Sequence, residues 1–262
     1  MTHFPPPSFG VLLVGHGTRD VRGQREFLQA AEMLPATLPQ AAIEPCFLEL
    51  ASPDIAAGIQ RLAARGPRVW VVAPALLFAA AHVKRDIPAA VADAIENQSI
   101  SGVSWAVCEP LGCHEAVLQV SAERFRTTLP AEAQAETKML VMVGRGTTDA
   151  DAIADMRKFT ALRAKLTPVA EQQTAFLTGA APSLDEALNT AASSTHANII
   201  VQPHLLWRGQ LAGDVAAAVA RQQATAAGRR KRWAVAGHLG PCPEVVQALA
   251  ERIQHCYTTF TP

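Results

Sequence analysis

The 262-residue sequence lacks the features of several large classes of protein. Its 23 basic and 23 acidic side chains cancel, so no overall field is present to hold nucleic acid or an anionic membrane. Its apolar runs, of which residues 69–81 are an example, fall short of the roughly 20 residues that a membrane-spanning helix needs. We therefore expect neither a nucleic-acid nor a membrane partner.

Cysteine is scarce and its spacing carries no metal or disulfide pattern. The five cysteines form no C-x-x-C pair and no zinc-ribbon spacing, which favours buried thiols in a reducing compartment. Residues 1–8 contain three prolines and no basic segment followed by an apolar one, so we expect no secretory signal and a cytoplasmic location. Also missing are H-E-x-x-H, the Walker lysine loop, G-x-S-x-G and an extended G-x-G-x-x-G, the main signatures of metalloproteases, NTPases, serine hydrolases and dinucleotide-binding domains.

What the sequence does contain is an internal repeat. Residues 15–20 read GHGTRD and residues 144–149 read GRGTTD, 129 positions later. At the same offset, Phe47-Leu48 matches Phe176-Leu177, Pro53 matches Pro182, Pro74 matches Pro203, and Leu76-Leu77-Phe78 matches Leu205-Leu206-Trp207. The repeat predicts two similar domains, residues 1–130 and residues 131–262, joined by a polar connection around residues 127–138.

Each half alternates short apolar strands with amphipathic helices. In the first half we predict strands at 11–14, 43–48, 69–73 and 103–108, and helices at 22–34, from Ser52-Pro53-Asp54 to Gly66, at 84–96 and at 114–126. Ser52 is the expected cap of the second helix. In the second half, the strands lie near Met139, Thr174, Asn198 and Trp233. The predicted fold class is α/β, with two tandem three-layer domains, each a doubly wound, four-stranded parallel sheet flanked by helices.

Three polar residues follow consecutive strands of the first half. They are His16, Glu49 and His82, and the carboxyl ends of parallel strands are where such sheets bind ligands. At the equivalent positions the second half has Arg145, Thr178 and Leu211. A requirement of the fold would have to be met in both halves, so the asymmetry favours a functional site in the first half.

Two imidazoles beside a carboxylate are suited to two kinds of chemistry. Neutral imidazole is a good ligand for cobalt, nickel, zinc and ferrous iron, and it is also a proton acceptor near neutral pH. The residues alone leave both metal handling and general-base catalysis open.

The sequence around these residues resembles the sirohydrochlorin chelatases, the class II chelatase family, in its long fused two-domain form. The resemblance rests on residues 12–20, 46–51 with Pro53, 77–88, 143–149 and 203–209. It implies insertion of cobalt or ferrous iron into sirohydrochlorin, for cobalamin or siroheme biosynthesis. His16 and His82 would bind the metal and accept protons, with Glu49 as a third catalytic group. The metal would be a substrate, with no permanent cofactor, and the two halves would face each other across the tetrapyrrole.

Sirohydrochlorin carries many carboxylates around its rim, so its site needs cations. Those nearest to the motifs are Arg19, Lys84, Arg85, Arg145 and Arg208, which we predict to bind the substrate. Cobalt is the favoured metal and iron the second choice.

Two other functions stay open on the sequence. A carrier of metal or tetrapyrrole would keep the histidines but show no turnover. A histidine phosphatase is disfavoured, since Gly15 stands where such enzymes have an arginine before the histidine. Because the repeat can supply a two-fold interface, the chain is expected to be a monomer or a homodimer.

Overall fold

The computed structural model describes residues 7–80, 82–128 and 137–260. The chain divides into two compact units, unit 1 with Met1–Gly112 and Pro241–Pro262, and unit 2 with Cys113–Gly240. Each unit holds a four-stranded parallel sheet with helices on both faces, as the alternating pattern predicts. Among the helices described, none has the length and apolar character needed to span a bilayer.

The elements follow one another as strand and helix in both repeats. The first repeat contains β1 (Phe9–Gly15), α1 (Val21–Met33), β2 (Ala41–Phe47), α2 (Ile55–Ala64), β3 (Val69–Pro74), α3 (Ile87–Asn97), β4 (Ser104–Val107) and α4 (Glu115–Arg126). The second repeat contains β5 (Lys138–Gly144), α5 (Ala150–Leu166), β6 (Glu171–Phe176), α6 (Leu184–Ser193), β7 (Asn198–Pro203), α7 (Gln210–Gln223), β8 (Arg232–Val235) and α8 (Pro243–Phe260). Every strand predicted from the sequence is present.

The two sheets have the same strand order. It is β2-β1-β3-β4 in unit 1 and β6-β5-β7-β8 in unit 2. The central strands β1 and β5 are buried along their whole length or nearly so, which explains their continuous apolar sequence. On one face of the unit 1 sheet, α2 and α3 pack with Leu12, Val14 and Trp70 into one hydrophobic core. The α6 and α7 helices form the matching core in unit 2.

The last helix of each repeat packs in the other repeat's unit. The α4 helix lies in unit 2, where the Arg163 guanidinium is 4.2 Å from the centre of the Phe125 ring. The α8 helix lies in unit 1, where Tyr257 stacks on Phe9 with ring centroids 4.0 Å apart. The compact units therefore differ in their bounds from the domains 1–130 and 131–262 expected from the repeat. A repeat in sequence identifies equivalent helices but does not determine which sheet each helix covers.

Two local expectations need correction. The N-cap of α2 is Asp54, whose carboxylate accepts a hydrogen bond from the Ala57 amide, and not Ser52. Of the five cysteines, only Cys46 and Cys108 are buried, while the other three are half-buried. Burial raises the pKa of the Cys46 thiol to about 12, so this side chain is a small apolar core residue, as predicted.

Candidate functional site

The candidate site lies at the carboxyl edge of the unit 1 sheet. From β1 the chain passes to β2 on one side and then crosses to β3 on the other. In sheets of this kind, the usual ligand position is beyond the carboxyl ends of the strands at such a reversal, here β1 and β3. In the sheet register, Gly15 is the partner of Phe47, and Val14 is the partner of Pro74. The segments that follow β1, β2 and β3 therefore leave the sheet side by side.

Backbone hydrogen bonds hold His16 against Glu49. The Leu48 amide donates to the Gly15 carbonyl at 2.8 Å, and the Glu49 amide donates to the His16 carbonyl at 3.1 Å. These bonds extend the β1–β2 pairing past the ends of both strands. The His16 Nδ1 atom lies 3.4 Å from the Glu49 Oε1 atom, with side chains 20% and 47% exposed respectively. The structure thus brings together two of the three residues singled out from the sequence, in contact with solvent.

The two glycines that flank His16 serve different purposes. Gly17 has a positive φ of 96°, and a Cβ at this position would lie 1.7 Å from the Glu49 carbonyl oxygen. Gly15, by contrast, is part of β1, and a Cβ there would crowd the Phe27 ring at 3.0–3.2 Å. The sharp turn after β1 is therefore made by Gly17, and Gly15 permits close packing of α1 on the strand.

His82 begins an unusual turn after β3. Residues His82–Asp86 form a π-helical turn that leads into α3, and π-helical turns occur often at functional sites. The His82 side chain lies outside the described part of the structure. In the second repeat the equivalent Leu211 lies in the regular first turn of α7, which begins at Gln210. The backbone therefore differs between repeats at the position where only the first has a histidine.

The second repeat reproduces the His16 loop without its functional side chains. The Leu177 and Thr178 amides donate to the Gly144 and Arg145 carbonyls at 3.1 Å. Gly146 has a φ of 88°, and a Cβ there would lie 1.8 Å from the Thr178 carbonyl oxygen. Since the same loop forms around Arg145 and Thr178, the fold itself requires neither His16 nor Glu49.

The five cations predicted to bind substrate are all exposed. In unit 1, Arg19 lies in the loop after β1, and Lys84 and Arg85 lie in the π-helical turn. Arg145 and Arg208 follow β5 and β7 of unit 2. Each of these cations thus lies at the carboxyl edge of its own sheet.

The sequence pattern did not predict the backbone conformation of one residue at this edge of the sheet. Leu50, next to Glu49, has a φ of 61°, a left-handed conformation that is rare for a side chain of this kind. Its equivalent is Gly179, with a φ of 66°. Aligning the repeats at their offset of 129 would have shown a glycine opposite a leucine, the one available signal for this position.

The His16–Glu49 pair can ligate a metal or move a proton. A carboxylate next to one ring nitrogen orients the imidazole and stabilises its protonated form, while the other nitrogen stays available. Among the described side chains, which do not include that of His82, no group of three or more His, Cys, Asp or Glu is placed to hold a metal ion.

Comparison with known proteins gives one consistent family. A family model described as CbiX matches residues 10–128 and, a second time, residues 139–256. A sirohydrochlorin cobaltochelatase from Priestia megaterium is 31% identical over 246 residues, which cover 93% of this chain and 78% of the relative. A sirohydrochlorin ferrochelatase from the same organism is 31% identical and covers 78% of this chain and 76% of its own length. The solved structure of SirB from Bacillus subtilis with Fe3+ superposes with a TM-score of 0.82 at 26% identity, covering 94% of both chains.

Proposed function

The chain belongs to the CbiX family, and we propose that it is a chelatase that inserts a divalent metal ion into sirohydrochlorin. The observation that carries the proposal is the His16–Glu49 pair at the switch point of the unit 1 sheet. The relatives named above as cobaltochelatase and ferrochelatase support the substrate and the reaction. Cobalt is the proposed metal, and ferrous iron is the second candidate.

Histidines meet the chemical requirements of metal insertion. The incoming ion must lose bound water, and the macrocycle must lose two pyrrole N–H protons, so the site needs exchangeable ligands and bases that work near neutral pH. His16 and His82 act as these ligands and proton acceptors. A closed set of four strong ligands would retain the ion, whereas two imidazoles leave coordination positions for water and for the pyrrole nitrogens. The metal is therefore handled as a substrate.

Glu49 orients the His16 ring and stabilises its protonated form. Its Oε1 atom lies 3.4 Å from His16 Nδ1, which favours a proton on that nitrogen and leaves Nε2 for the metal or for the pyrrole proton. Once His16 has accepted a proton, the adjacent carboxylate stabilises the imidazolium. Because both side chains contact solvent, the ion pair is worth only about 1 kcal/mol or less. Glu49 therefore contributes less to the insertion rate than His16 does.

The exposed cations bind the carboxylates of the macrocycle. Arg19, Lys84 and Arg85 are on the same sheet edge as His16 and Glu49, where charge-assisted hydrogen bonds to carboxylates form readily. Arg145 and Arg208 make the corresponding contribution from the second repeat. Such contacts orient the rim of sirohydrochlorin and leave its central nitrogens to the histidines.

The test follows the absorbance of sirohydrochlorin with Co2+ or Fe2+ under anaerobic conditions at about pH 8, where free imidazole is neutral. We expect the intact protein to accelerate insertion over the protein-free reaction. The His16→Ala and His82→Ala variants should each lose about a hundredfold or more in rate. His255→Ala is the matched control, since His255 is an exposed histidine of α8, and it should keep full activity. Binding of the macrocycle without faster insertion would contradict the proposal and indicate a carrier.

A further inference from the structure

Two exposed apolar side chains lie in the chain segments that carry His16 and Glu49. Among residues 7–80, 82–128 and 137–260, the large hydrophobic side chains that are exposed are Val21 at 64%, Leu50 at 50% and Val235 at 37%. Leu50 follows Glu49 directly, and Val21 is the first residue of α1, the helix that the His16 loop enters. We call Val21 and Leu50 the apolar rim. Both residues belong to segments that leave the same edge of the sheet as His16 and Glu49, where exposed apolar surface is available to a bound ligand.

Leu50 keeps its side chain despite an unfavourable backbone. Its φ of 61° is disfavoured for any residue with a Cβ, and glycine adopts it without penalty. The second repeat builds the same turn with Gly179, φ 66°. A Cβ on Gly179 would lie 3.1–3.3 Å from backbone atoms of Thr147, so the turn is tight. The turn thus needs no leucine, so the folding of this loop does not account for the Leu50 side chain.

At the position of Val21, too, the second repeat has a smaller residue. Its equivalent at the offset of 129 is Ala150, which also begins a helix, α5, behind an aspartate cap. The caps themselves, Asp20 and Asp149, are the same residue with the same role. The local fold is therefore shared, and the large apolar side chain is found only in the repeat that has the histidine.

We infer that the apolar rim packs against the flat face of the tetrapyrrole and holds it beside His16. This inference rests on the proposed function. A tetrapyrrole presents apolar faces and a charged rim, so its site must combine an apolar contact with cations at the periphery. Unit 1 offers that combination at one edge of its sheet, with Val21 and Arg19 in the segment that follows His16 and Leu50 directly after Glu49. The repeat with Arg145 has Ala150 and Gly179 there, and lacks the apolar contact.

The experiment measures binding of metal-free sirohydrochlorin to the full-length protein by absorbance and fluorescence titration. Leu50→Gly and Val21→Ala install the residues of the second repeat, and Leu50→Asn places a polar side chain that tolerates a positive φ. We expect Kd to rise about tenfold in both Leu50 variants and about threefold in Val21→Ala, because each variant buries less apolar surface against the macrocycle.

Ser99→Gly is the matched control for backbone strain. Ser99 is the other non-glycine residue of the described chain with a positive φ, 53°. It is exposed and follows the end of α3, so it lies at the opposite edge of the sheet from His16. Leu50→Gly and Ser99→Gly should both raise the melting temperature, because glycine relieves the strain. Only Leu50→Gly should weaken binding.

The outcomes separate this inference from the proposed function. Wild-type Kd values in both Leu50 variants, with metal insertion by the intact protein, would refute the binding role of the apolar rim. The proposed chelatase activity would then still hold. Weaker binding in those variants, in a protein that does not accelerate insertion, would support the rim and contradict the chelatase. No binding of sirohydrochlorin by the intact protein would overturn both.

Discussion

The two repeats have one backbone arrangement and carry different side chains on it. In each, a strand ends in a glycine, a loop turns at a second glycine with positive φ, and an aspartate caps the next helix. The first repeat places His16 on this loop with Glu49 bonded beside it, and the second places Arg145 and Thr178 at the same positions. The comparison separates what the loop needs in order to form from what it is used for.

Substitution of the shared glycines tests whether the loop of each repeat needs them in order to form. Gly17→Ala and Gly146→Ala each put a Cβ within 1.7–1.8 Å of a carbonyl oxygen, at a positive φ. We expect each to lower the free energy of unfolding by about 3 kcal/mol or more, measured by chemical denaturation. Wild-type stability in either variant would show that the loop does not depend on its glycine.

A buried histidine distinguishes the repeats in their response to acid. His204 in unit 2 is fully enclosed, and burial lowers its pKa to about 3 from 6.5, whereas the first repeat has Ala75 at this position. Above pH 6.5 the ring is neutral in both folded and unfolded chains. Below it, only the unfolded chain takes up the proton, so the free energy of unfolding falls by up to about 1.4 kcal/mol per pH unit.

Denaturation at several pH values between about 7 and 4 measures this loss. The His204→Ala variant, which copies the first repeat, should have a shallower pH dependence than the intact protein. His255→Ala, which removes an exposed histidine, is measured alongside as the control. Equal slopes in the intact protein and His204→Ala would contradict the account.

The smallest expected effect concerns Glu49. Glu49→Thr, which installs the residue of the second repeat, should lower the insertion rate about fivefold, because a solvent-exposed ion pair contributes little. Glu171→Gln is the matched control. It removes the carboxylate from the other described histidine–glutamate pair, 3.1 Å from His196 at the start of β6, and should leave the rate unchanged. A loss in Glu49→Thr as large as that in His16→Ala would mean that Glu49 has a direct catalytic role.

Sequence reasoning predicted the fold because the signals are local. The apolar strands, the helical spacing and the offset of 129 are sufficient for two parallel sheets, and the repeat identifies His16 as the residue that differs. The pairing of His16 with Glu49 also follows from adjacent strands. Tertiary packing was beyond this reasoning, since the placement of α4 in unit 2 and α8 in unit 1 depends on which sheet each helix buries.

Backbone conformation is the other part that the sequence pattern missed. The positive φ at Leu50 contradicts the preference of leucine, so residue type alone argues against it. The π-helical turn at His82 likewise has no simple sequence signature. Both deviations are next to residues assigned to the chemistry, which is where a chain departs from local preference.

The proposed function assigns the chemistry to His16 of the first repeat and substrate binding to Arg145 of the second. The most direct test compares His16→Ala with Arg145→Ala, equivalent positions in the two repeats, in metal insertion at varied sirohydrochlorin concentration. The account predicts that His16→Ala lowers kcat about a hundredfold or more, and that Arg145→Ala raises KM while kcat stays within about threefold. A loss of kcat in Arg145→Ala equal to that in His16→Ala would contradict the division of roles.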